Sequence, residues 1–136
     1  MTGGVLFRVA ERLYFLPAAI ATKVLPMPRV ARVPGAPAAL VGVALVEGEM
    51  VPVVAIGDLD ARGSRRPPSG DRPRADNRPM LVCSYLGERV GLVGLEIVAT
   101  GRFSAEGEAV THEGVAAELF DVGAVFSGLR EHRWAV

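Results

Sequence analysis

The sequence predicts a mainly β fold built from small barrels, and three observations carry that prediction. Apolar residues fall in runs of four to eight, the length of strands. Glycine and proline punctuate nearly every gap between those runs. Half of the 136 residues are hydrophobic, enough for a chain of this size to bury roughly two thirds of the surface its unfolded form exposes. Many short strands with tight turns favour closed barrels, which remove the exposed edges that invite aggregation.

Taken in order, Val5 to Val9 and Leu13 to Leu16 form a hairpin across an Ala-Glu-Arg turn. Pro17 suits a first helical position, and the alanine-rich stretch Ala18 to Leu25 has no interior breaker, so a short helix is predicted there, ended by Pro26 and Pro28. Leu40 to Val46 and Met50 to Ile56 read as strands reversed at Glu47-Gly48-Glu49, where the glycine supplies the positive φ of a tight turn. Pro52 has no N–H for a ladder and belongs at a strand edge, a bulge or a barrel corner. Residues 60–79 carry six arginines and four prolines with almost nothing to bury, which predicts a flexible loop. Met80 to Tyr85 and Val90 to Val93 form a second hairpin about Leu86-Gly87-Glu88, and Leu95 to Val98 continues the apolar pattern. Glu108 to Thr111 and Val115 to Phe120 make a third hairpin around His112-Glu113-Gly114. Asp121 is a credible N-cap for a final helix reaching about Glu131, with Val122, Val125, Phe126 and Leu129 on one stripe. This gives one domain, 1–136, with a first barrel half over 1–60, an arginine- and proline-rich loop over 61–79, and a second barrel half with the C-terminal helix over 80–136.

Composition restricts function. The formal net charge is zero, so no global field draws polyanions, and the single cysteine, Cys83, suits a reducing compartment. No apolar run approaches the ~20 residues of a membrane-spanning helix, and Arg8, Glu11 and Arg12 interrupt the start of the chain, so a cytoplasmic location without membrane insertion is expected. His112 and His132, the only histidines, stand in no metal-ligand spacing and beside no nucleophile motif. The acids Glu106, Glu108, Glu113 and Glu118 show no spacing that pairs two carboxylates, and Gly91 to Gly94 lacks the phosphate-loop pattern. No catalysis, metal or cofactor is expected. Cys83, inside an apolar strand, reads as an inert buried thiol.

The ordered elements resemble the CheW-like domain family of bacterial chemosensory adaptors. The similarity runs through the hairpin LFRVAERLYFL, the Val24-Leu25 pair, the turn VPGAP, the segment VGVALVEGEMVPVV, the hairpin MLVCSYLGERVGLV and the closing AELFDVGAVFSGL. It covers nearly the whole chain except the arginine-rich loop. What the resemblance implies is two packed five-stranded barrels with short helices. It also implies a noncatalytic adaptor coupling the cytoplasmic tip of a chemoreceptor, held in a hydrophobic groove, to the regulatory domain of a CheA-like histidine kinase, held at the barrel ends. Differential binding would replace chemistry.

The partner-binding candidates under that resemblance are Lys23, Val24, Leu25, Val30, Val33, Leu40, Glu47 and Glu49. Each has a plainer reading: the apolar ones as core, the charged ones as solvated turn tips. Glu47 stands where the family commonly has arginine, Lys23 where it has an acid, and Ala55 and Leu95 where it has aspartates. The two reversed charges either attract as an exchanged pair or recode the choice of partner. A second reading of function uses Arg62, Arg65, Arg66, Arg72, Arg74 and Arg78 to hold a nucleic acid or another polyanion, although the loop lacks the aromatic residues that would stack bases. No nucleic acid is expected on the adaptor reading.

Overall fold

The computed structural model describes residues 2–35, 40–56, 79–106 and 109–131. Eleven strands and one helix occupy them: β1 (Thr2–Val9), β2 (Arg12–Pro17), β3 (Ala21–Pro26), β4 (Val30–Ala31), β5 (Leu40–Val46), β6 (Glu49–Ala55), β7 (Pro79–Tyr85), β8 (Glu88–Val93), β9 (Glu96–Glu106), β10 (Ala109–His112), β11 (Val115–Leu119) and α1 (Val122–Glu131). They form two sheets. One is a closed five-stranded barrel in the order β1-β2-β11-β10-β9, and the other has six strands in the order β3-β7-β8-β6-β5-β4.

The strand order corrects the division of the chain into one barrel per half. The closed barrel takes two strands from before the arginine-rich segment and three from after it, while the six-stranded sheet takes four from before and two from after. Parallel contacts complete each sheet, β11 on β2 at Leu119↔Phe15 and β6 on β8 at Val54↔Leu92. Pairings so distant along the chain leave no local trace in it.

The predicted helix over Ala18 to Leu25 is also corrected. Residues 18–20 turn, with Ile20 N–H donating to Pro17 O at 2.9 Å, and the chain then runs as β3 against β7. Tertiary contact overrides alanine propensity here. Ser84 N–H bonds Ile20 O at 2.8 Å, Thr22 Oγ1 donates to Val82 O at 3.1 Å, and Ala21 is buried in the core. The final helix is as expected: Ala124 N–H donates to Asp121 Oδ1 at 3.0 Å, and Val122 and Phe126 are buried. Pro52 lies opposite Val43 on β5, one residue before β8 joins β6 at Val53, so its missing N–H breaks no ladder on the β8 side.

Three apolar clusters explain why many strands read as continuous hydrophobic runs. Leu6, Phe15, Phe103, Val110 and Ala117 fill the closed barrel. Ala44, Val46, Val51, Val53, Met80 and Val82 fill the second sheet. Between them lies a shared core in which Phe7 and Leu16 meet Val54, Leu81, Cys83, Leu92, Val122 and Phe126. Adjacent residues such as Leu6 and Phe7 therefore face different cores.

Leu25 of β3 and Val30 of β4, from opposite ends of the strand order, both pack on the second cluster. The sheet thus curls until its two ends share one core, and this gives it the shape of a barrel. Cys83 is fully buried, and that burial pushes its thiol pKa up to about 12. Since the folded chain then holds the proton more tightly than the unfolded one, this contribution to stability is complete below about pH 9 and is lost as pH rises towards 12. At pH 8 the native thiol is expected to react with a soluble disulfide reagent far more slowly than the denatured chain, because it is fully buried and holds its proton more tightly. Fast labelling that does not track unfolding would contradict this burial.

Candidate functional site

No polar or charged side chain is buried among the described residues, so their polar chemistry lies at the surface. Two ion pairs lie on the rim of the second barrel. The two-residue turn between β5 and β6 places Glu47 at φ 50° and Gly48 at φ 82°, the backbone of a hairpin reversal that twists with its strands. From that turn Glu47 Oε1 meets Lys23 Nζ of β3 in an ion pair, and Glu49 Oε2 meets Arg89 Nη1 of β8 at 3.4 Å. The Lys23 ammonium, first by its hydrogen bond and then by its charge, holds the Glu47 carboxyl below the usual carboxylate range. The pair's contribution is present above that range and lost as pH falls through the lowered pKa.

Lys23 lies on β3 and Glu47 on the β5–β6 turn, and β3 is a neighbour of neither β5 nor β6 in the sheet, so the pair ties together elements that the strand order separates. Both side chains are nearly half exposed, 45% and 48%, which keeps the ion pair weak as a source of stability and leaves it accessible to a partner.

The apolar candidates divide. Val24 is 40% exposed next to Lys23 of the Lys23–Glu47 charge clasp, and Val33 is half-buried. Leu25 and Val30 are half-buried against the second cluster. Leu40 is corrected: at 8% exposure it belongs to the shared core, because its partner Val54 faces inward on the same side of the sheet. Sequence reasoning missed Leu45 and Met50, exposed at 65% and 63%, and Arg89. The signal for the first two was present, since a two-residue turn at Glu47-Gly48 sets Val46 opposite Glu49 and Leu45 opposite Met50.

The family model described as CheW-like domain matches residues 3–107, most of the chain. The chain belongs to the CheW-like domain family. Among solved structures, the scaffolding protein TtCheW from Thermoanaerobacter tengcongensis is similar at 21% identity with a TM-score of 0.61, covering 80% of this chain. This CheW-like domain spans 66% of that protein's length. No curated protein sequence matches it.

The remaining candidates of this CheW-like domain are spread out. Glu113 and Glu118 lie with Arg8, Glu11, Arg12 and His112 around an open groove of about 360 Å³ at one end of the closed barrel. His112 packs edge-on against Phe103, 5.8 Å between ring centres, which gives it a structural task. No cluster of three or more potential metal ligands occurs among the described residues, and no helix there is long and apolar enough to cross a membrane. Arg62, Arg65, Arg66, Arg72, Arg74 and Arg78 lie outside the described residues, as do His132 and Glu108.

Proposed function

We propose that this CheW-like domain is a noncatalytic cytoplasmic adaptor that couples the cytoplasmic tip of a chemoreceptor to the regulatory domain of a CheA-like histidine kinase. The match to the family over residues 3–107 carries the reading. An accessible rim of paired charges with apolar neighbours supports it, since protein partners are recognised by apolar anchors within a polar surround.

Capture experiments with the cognate receptor tip and kinase regulatory domain test the reading, and binding to neither overturns it. The charge clasp sets which partners fit. Lys23→Glu places two acids together and Glu47→Arg two cations, so each single change is expected to alter the ratio of receptor to kinase affinity. The double change Lys23→Glu with Glu47→Arg restores attraction within the chain while inverting the surface pattern. A double-mutant cycle on partner affinity with no coupling between the sites would show that the clasp plays no part in recognition.

A further inference from the structure

We infer that Thr22 is the positioning residue of the charge clasp: it takes the extra place in a bulge of β3 and thereby turns Lys23 towards Glu47 and Val24 to the opposite face of the sheet. The inference rests on the adaptor reading only in counting the clasp as a recognition element.

Successive side chains of a strand point to opposite faces, so Ala21, Lys23 and Leu25 would share one face of a regular β3. They do not. Ala21 belongs to the core shared by the two sheets, whereas Leu25 packs on the second cluster. The register with β7 locates the change. Ala21 lies opposite Cys83 and Lys23 opposite Val82, so two steps on β3 match one on β7, and Thr22 is the extra residue. Directly opposed residues share a face. On β7, Leu81 and Cys83 enter the shared core, while Met80 and Val82 enter the second cluster. Lys23, opposite Val82, therefore stands on the side of the second cluster, the cluster of Val46 that precedes Glu47 at the turn. Val24, opposite Leu81, stands on the side of the shared core, where it is 40% exposed. With Thr22 in the ladder opposite Val82, Lys23 would fall opposite Leu81 and Val24 opposite Met80, and the two would exchange faces.

The hydroxyl suits Thr22 to the extra place. A bulge interrupts the ladder, and Thr22 Oγ1 donates to Val82 O at 3.1 Å, on the same residue that Lys23 opposes. Before the bulge, Ser84 N–H donates to Ile20 O at 2.8 Å and holds the start of β3 on β7. With that start fixed, the Thr22 hydroxyl sets the side of the strand on which Lys23 emerges.

The test uses the full chain, labelled with ¹³C and ¹⁵N, and follows the pH titration of the Glu47 carboxyl. Lys23, and more weakly Arg89, hold that carboxyl low, so Lys23→Met gives the reference with Arg89 left in place. Thr22→Val keeps the branched shape and removes the donor. It is expected to raise the Glu47 midpoint by about half or more of the shift seen in Lys23→Met. Thr22→Ser keeps the hydroxyl and should titrate as the native chain does. Cross-strand contacts of Lys23 with Val82 and of Val24 with Leu81 should be present in the native chain, which reads the register even where Thr22→Val fails to fold. The inference is overturned if those contacts are absent, if Thr22→Val titrates like the native chain, or if Thr22→Ser shifts as far as Thr22→Val. In capture assays, a ratio of receptor to kinase affinity that moves with Lys23→Met and not with Thr22→Val overturns it too. The titrations need no partner, so a failed capture bears on the adaptor reading alone.

Discussion

Phe7→Ala is expected to destabilise the protein by about 3–5 kcal/mol, the range for deleting a fully buried aromatic ring. Phe7 has no exposed surface and sits in the core shared by the two sheets. Its ring stacks on Tyr14 at 5.8 Å and meets the edge of Phe120 at 5.4 Å, while Tyr14 and Phe120 also contact each other at 5.4 Å. Those three rings join β1, β2 and the segment that leads into α1, where Phe120 N–H donates to Phe15 O at 3.1 Å. Removing one leaves a cavity among groups fixed by three separate elements, so little collapse is available to fill it. Urea unfolding should show a lower midpoint with an unchanged slope, and the thermal midpoint should fall by about 10 °C or more. A loss under about 1 kcal/mol would mean that the shared core is not packed as described. At low temperature the variant should keep the Lys23–Glu47 ion pair, because Phe7 lies inside the molecule and that pair is at the surface.

Gly4→Ala is the second large effect and has a different origin. A Cβ at Gly4 would stand 2.2 Å from Leu16 O and 2.5 Å from the Phe15 ring, both on the paired strand β2. The carbonyl oxygen belongs to the barrel's own ladder and cannot rotate away, so β1 and β2 must separate. The cost is expected at about 1–3 kcal/mol or above, as for inserting atoms into a full core. Gly3→Ala is the control on the neighbouring residue: its added Cβ would meet nothing closer than 3.7 Å, and its effect should stay within about 0.5 kcal/mol. Equal effects at the two glycines in parallel thermal melts would refute the close approach of β1 to β2.

Patterns that act over a few positions are legible in the chain itself. The hairpins β1–β2, β5–β6, β7–β8 and β10–β11, the cap Asp121 and the stripe Val122 and Phe126 of α1 all follow from local turn chemistry and periodicity. Ala18 to Leu25 departs from its local pattern for a physical reason. Its alanines favour a helix by a few tenths of a kcal/mol per residue, and the ladder with β7, roughly sixty residues away along the chain, outweighs that preference.

The candidate site divides along the same line. That Lys23 and Glu47 carry opposite charges is plain in the sequence, but their contact depends on a sheet curling until β3 approaches the β5–β6 turn. Leu40 and Leu45 are the same residue type on one strand, and the sequence treats them alike. Only the packing of the closed barrel over one end of β5 makes Leu40 core and leaves Leu45 exposed.

By itself, then, the sequence determined the hairpin strands, their turns and the family likeness, because these arise from interactions between near neighbours in the chain. The tertiary structure alone decided which strands share a barrel, which apolar residues are covered and which charges meet. Those outcomes depend on loop closures and parallel pairings between distant segments, whose free energy is set by the whole assembled core and by no local run of residues.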